Sequence, residues 1–122
     1  MPHIHEFQDD VREWTIEAFG HAVSLDKVER NHRFLEESLE LVQSLGCSAG
    51  EAHQLVDYVF GRDVGEPKQE VGGVMMTLAA LCNASTFSMA LSSETELERV
   101  WEKIEQIRAK QAAKPQHSPL PQ

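Results

Sequence analysis

Four carboxylates are the residues whose types and spacing could do chemistry in this chain. Glu36, Glu37 and Glu40 fall within five residues of what reads as a long helix. Residues three and four apart share a helix face, so Glu36 and Glu37 each neighbour Glu40. Three like charges this close repel unless a cation sits among them. Carboxylate oxygens suit a hard divalent ion such as Mg²⁺ or Mn²⁺. The fourth, Glu70, opens the most apolar run of the chain, Val71 to Cys82, which carries no charge. On a stripe that faces protein, an unpaired carboxylate is costly or takes up a proton. A metal shared with Glu36, Glu37 and Glu40 removes that cost. The bland alternative is an ordinary amphipathic helix with a solvated acidic side. Glu29, Arg33, Glu36, Glu37 and Glu40 fill one sector, and Val28, Phe34, Leu35, Leu39, Leu41, Val42 and Leu45 fill the rest. Glu70 could likewise stay wet near a frayed helix end.

Helices must position these acids. Phe7, Val11, Trp14 and Ala18 recur at helical spacing and predict a first helix over about residues 3–19, stopped by Gly20. Trp14 reads as a core or interface residue, with base stacking as the functional alternative. The second helix starts after Ser24 as N-cap and runs to Leu45, ending at Gly46. Glu29 and His32 form a single Glu-x-x-His pair. Di-iron bundles need one on each of two helices, so His32 reads as a surface residue. Ser48 and Glu51 form a capping box for a third helix that Gly61 closes. Glu66-Pro67 opens a fourth, to about Asn83, apolar all round and therefore expected to be buried along with Cys82. Gly72-Gly73 inside it costs about 1 kcal/mol per Gly relative to Ala, which points to close packing or a ligand. A fifth helix starts near Ser93 with the stripe Leu97, Val100, Trp101, Ile104 and Ile107, and gathers Lys103, Arg108 and Lys110 toward its end. The expected architecture is an all-α bundle of about five helices, with a four-helix-bundle core that is shared across subunits. It forms one domain over residues 1–112. Residues 113–122 hold three prolines and read as a tail.

Composition bounds the function. The 122 residues are 41% hydrophobic and 25% charged, as in a soluble domain with one modest core. Net charge is −9, from 20 acids against 11 bases, which disfavours binding to a nucleic acid polymer. It leaves room for a small phosphorylated ligand, because a bound metal reverses the local sign. Cys47 in a turn and Cys82 in an apolar run read as reduced thiols. With Asp9, Asp10, Glu13 and Glu17 near the start and no run fit to span a membrane, the expected location is the cytoplasm.

The order of parts resembles the MazG-like all-α nucleoside triphosphate pyrophosphohydrolases. That family carries Glu-Glu-x-x-Glu on one helix and Glu-x-x-Asp on another. Here the first is Glu36-Glu37-x-x-Glu40, and the second begins at Glu70, in Glu-Val-Gly-Gly ahead of Leu-Ala-Ala-Leu-Cys-Asn. The resemblance covers residues 25–90. It implies that Glu36, Glu37, Glu40 and Glu70 are catalytic metal ligands for Mg²⁺ or Mn²⁺. It also implies that Arg33 and Asn83 are substrate-binding, with Lys103, Arg108 or Lys110 in the role of the family's basic residues. The implied reaction splits a nucleoside or deoxynucleoside triphosphate into monophosphate and pyrophosphate, in a homodimer or homotetramer. The second motif's Asp is Gly73 here. That leaves open fewer ions, completion by Asp63, Glu66 or water, or an inactive member. Two rival classes follow: a non-catalytic metal or nucleotide binder, and a purely structural bundle.

Overall fold

The structure is a computed structural model that describes residues 3–113. Six helices follow in order: α1 (His3–Ser24), α2 (Lys27–Ser44), α3 (Ala49–Phe60), α4 (Pro67–Ser85), α5 (Met89–Glu102) and α6 (Ile104–Ala113). There is no strand among the described residues. The tail expected over 113–122 lies outside them apart from Ala113.

Local chemistry sets most boundaries. Gly20 breaks α1 with φ 83° and ψ 167°, a conformation that glycine takes without a Cβ penalty. The chain resumes helix for one more turn, so Ser24 ends α1 instead of capping α2. The cap of α2 is Asp26, whose Oδ1 accepts from the N–H of Val28 at 3.1 Å and of Glu29 at 3.2 Å. At α3 the capping box forms as the sequence predicts. Glu51 N–H donates to Ser48 Oγ at 3.1 Å, and Ser48 N–H donates to Glu51 Oε1 at 2.8 Å. The Ser48 N–H, and after it the Ser48 hydroxyl, bond the ionised form and hold the Glu51 carboxyl below its ordinary value. Glu66 caps α4 by accepting from Lys68 and Gln69 N–H, with Pro67 in the first turn. Thr86 then closes α4 in the left-handed conformation, with φ 60°. The fifth helix of the sequence reading is two helices. It begins at Met89, ahead of Ser93, and is interrupted at Lys103.

The chain divides into two units. The first holds residues 3–36 and 90–113 of the described chain. Here α1 packs along α6, the one extended helix–helix contact among the described residues. Ala18 is buried, and the Trp14 and Phe19 rings meet edge to face at 5.4 Å. The stripe Leu97, Val100, Ile104 and Ile107 is half-buried in this unit.

The second unit, residues 37–89, contains no buried residue. This corrects two expectations. Helix α4 is not buried within one chain, with Val71 64% and Met76 75% exposed, and Cys82 is only half-buried. An all-apolar helix reports that its faces need cover; it does not say what supplies the cover. No single helix among the described residues is long and apolar enough to cross a membrane.

Candidate metal site

Helix α2 carries Glu36, Glu37 and Glu40 on consecutive turns, as the sequence predicts. Arg33 lies one turn earlier. Its Nη1 donates to Glu36 Oε1 at 3.0 Å, and its Nε lies 3.5 Å from Glu29 Oε1. Arg33 thus bridges two carboxylates of its own helix and holds the Glu36 side chain in one direction. The arginine expected to meet phosphates is engaged with acids here. Glu37 and Glu40 are exposed farther along the helix.

Glu70 stands in the first turn of α4 and is exposed, not turned toward a protein interior as its stripe suggested. Its side chain folds back over the loop before the helix. A Cβ added at Gly65 would come 2.9 Å from Glu70 Cδ and 3.3 Å from Cγ. Glycine leaves that space open, and a side chain at position 65 would turn the Glu70 carboxylate elsewhere.

Among the described residues no three His, Cys, Asp or Glu side chains form a group that could hold a metal ion. Glu37, Glu40 and Glu70 are carboxylates, the donor type a hard ion takes, and all three are exposed within one unit.

Gly73, where the resemblance expects Asp, has room for a side chain. A Cβ there meets only Glu70 Oε1, at 4.0 Å, and one at Gly72 meets nothing within 4 Å. Gly73→Asp would place a second carboxylate beside Glu70. Mn²⁺ affinity should rise, by about tenfold for a gain of about 1.4 kcal/mol. The apo protein should melt lower because the two acids repel. Thermal melts with and without Mn²⁺ check this. Equal destabilisation in both conditions would show that a neighbouring molecule packs on Gly73.

The remaining expected binding residues belong to both units. Asn83 is exposed in the last turns of α4, where its carbonyl accepts the Thr86 N–H at 3.3 Å. Lys103 is exposed between α5 and α6, and Lys110 is exposed in the last turn of α6. Arg108 pairs with Glu105 at 3.5 Å. Trp14 is half-buried against Phe19, with its Nε1 shielded and without a hydrogen-bond partner.

Sequence reasoning missed one cluster. Glu29, grouped above with solvated acids, is 6% exposed. Its Oε1 lies 3.6 Å from Arg30 Nη2 and 3.5 Å from Arg33 Nε. The Arg30 guanidinium also lies over the Phe19 ring, 4.8 Å from its centroid. Burial lowers the Arg30 pKa from its ordinary value, and Glu29 opposes that shift. The available signal was the Glu29–Arg33 spacing, with the acid N-terminal, which suits a helical ion pair.

The chain matches no family model, no curated protein and no solved structure.

Proposed function

We propose that this chain is a metal-dependent nucleoside triphosphate pyrophosphohydrolase of the MazG-like kind. The observation that carries the reading is the acid pair of elements. Glu37 and Glu40 lie on the exposed end of α2, and Glu70 lies exposed in the first turn of α4, in the same unit. Glu37, Glu40 and Glu70 are the residues that would hold Mg²⁺ or Mn²⁺. Bound there, such an ion neutralises triphosphate charge and lowers the pKa of a coordinated water. Glu36, one turn before Glu40 and fixed by Arg33, is suited to accept a proton from an attacking water. Attack at the α-phosphorus breaks the α–β bridge and yields monophosphate and pyrophosphate. Glu36, Lys103, Arg108 and Lys110 belong to the other unit, so the metal reading rests on Glu37, Glu40 and Glu70.

The deciding experiment is a panel of NTPs and dNTPs with Mg²⁺ or Mn²⁺, purine dNTPs such as dGTP and dATP first, read by product identity. Monophosphate plus pyrophosphate is the expected result. Diphosphate plus orthophosphate would contradict it and mark a γ-phosphatase. Mn²⁺ binding by calorimetry without turnover would favour a non-catalytic metal or nucleotide binder, and no Mn²⁺ binding at all a structural bundle.

A further inference from the structure

We propose that Glu29 is a positioning residue for the hydrolysis, a role that stands on the pyrophosphohydrolase reading. From a closed site it fixes the direction of the Arg33 guanidinium, and through Arg33 it fixes the Glu36 carboxylate.

Glu29, Arg33 and Glu36 share one face of α2, because helical neighbours stand three and four residues apart. Their exposure rises in order. The Glu29 side chain keeps 8% of its exposure, Arg33 15% and Glu36 31%. The row leads from a carboxylate closed to water to one that solvent reaches. A carboxylate held away from water needs cations against it. Glu29 has two, Arg30 Nη2 at 3.6 Å and Arg33 Nε at 3.5 Å. Arg30 is seated on the Phe19 ring of α1, and Phe19 in turn meets Trp14. All of these residues belong to the first unit.

The shape of the guanidinium turns this hold into a direction. The group is planar, and its N–H bonds form a rigid fork. With the Nε edge against Glu29, the direction of Nη1 is set. Nη1 donates to Glu36 Oε1 at 3.0 Å. A partly exposed glutamate samples several rotamers unless a partner selects one. Arg33 is that partner, and Glu29 keeps Arg33 from turning away with it. Because Arg30 also neutralises Glu29, Arg33 retains charge for Glu36.

Burial of Glu29 beside Arg30 alone would serve stability. The same arginine reaching on to Glu36, the acid assigned to the attacking water, serves the chemistry. A proton acceptor must lie within hydrogen-bond reach of that water. A misplacement of about 1 Å costs up to about 10²-fold in rate.

A double-mutant cycle on turnover tests this, with Mn²⁺ and the nucleotide that the wild type cleaves. The variants are Glu29→Gln, Glu36→Gln and the two together, assayed below their melting temperatures. Glu29→Gln should lower kcat by about tenfold, with KM and Mn²⁺ affinity within about twofold of wild type. In the Glu36→Gln background the same change should lower kcat by less than about twofold, because the group it positions is already gone. A merely structural Glu29 would give the same loss in both backgrounds, and that result overturns the proposal. A Glu29→Gln enzyme with wild-type kcat overturns it too, and leaves the pyrophosphohydrolase reading standing. A wild type without turnover ends that reading, and the proposal with it. Should Glu29→Gln fail to fold, side-chain exchange in the wild type decides. The Arg33 Nε–H should exchange with water at least about tenfold more slowly than that of Arg12, whose side chain is 71% exposed. Equal rates would show that the guanidinium is not held, and would overturn the proposal.

Discussion

Glu40→Gln should abolish metal-dependent turnover of nucleoside triphosphates, by about 10³-fold or more. A metal's charge stabilisation in such a transition state is worth several kcal/mol, and each 1.36 kcal/mol is about tenfold in rate. Gln keeps the shape of the side chain and loses the charge a hard cation needs. Glu37→Gln and Glu70→Gln should behave alike, because each removes one of three carboxylates from the same set. Stability provides the control. All three acids are exposed, so each substitution should change apo unfolding free energy by no more than about 0.5 kcal/mol. Loss of activity with an unchanged urea midpoint would place the defect in metal binding. Wild-type turnover in Glu40→Gln would make these acids a solvated face, and their assignment as the metal site would fail. Glu36→Gln separates the two halves of the cluster. It removes the charge from the 3.0 Å partner of Arg33 Nη1 while leaving Glu37, Glu40 and Glu70 in place. Turnover should fall with Mn²⁺ affinity nearly intact, since Glu36 is assigned to the water and not to the ion.

The second large effect is on stability. Glu29→Ala should cost about 3 kcal/mol. Glu29 is nearly closed to solvent, with a side-chain exposure of 8%, and it is the acid next to both Arg30 and Arg33. Removing one partner of a buried ion pair leaves the remaining charge uncompensated, at a cost of about 3–5 kcal/mol. The lower end applies because the Arg30 side chain keeps 29% of its exposure and can turn to water. Arg33 at 15% exposure cannot do so as freely, though Glu36 still accepts its Nη1–H. Glu29→Gln should lose less, because it keeps the packing of the side chain beside the two guanidinium groups while losing the charge. Urea unfolding at fixed protein concentration measures both. A change below about 0.5 kcal/mol in Glu29→Ala would show that the pair is as weak as an exposed one.

The sequence alone determined what depends on neighbours a few residues away. The all-helical character, the Ser48–Glu51 box, the Glu66-Pro67 start of α4, the stop at Gly46 and the break at Gly20 all rest on hydrogen bonds or dihedral freedom within one turn. Glu-Glu-x-x-Glu on one helix is legible for the same reason, since helical period fixes which residues are neighbours. Only tertiary structure decided the rest. Glu29 and Glu40 look alike in the α2 pattern, yet one is buried beside two arginines and the other is exposed. Asp26 takes the cap from Ser24 because α1 runs one turn past its glycine, a choice between two adjacent acceptors that propensity does not rank. Glu70 rests over Gly65 because that loop glycine leaves space for it. The exposure of α4 is the furthest from reach. Hydrophobicity is a property of the residues, while burial is a property of what lies against them, and within residues 37–89 one chain does not supply it.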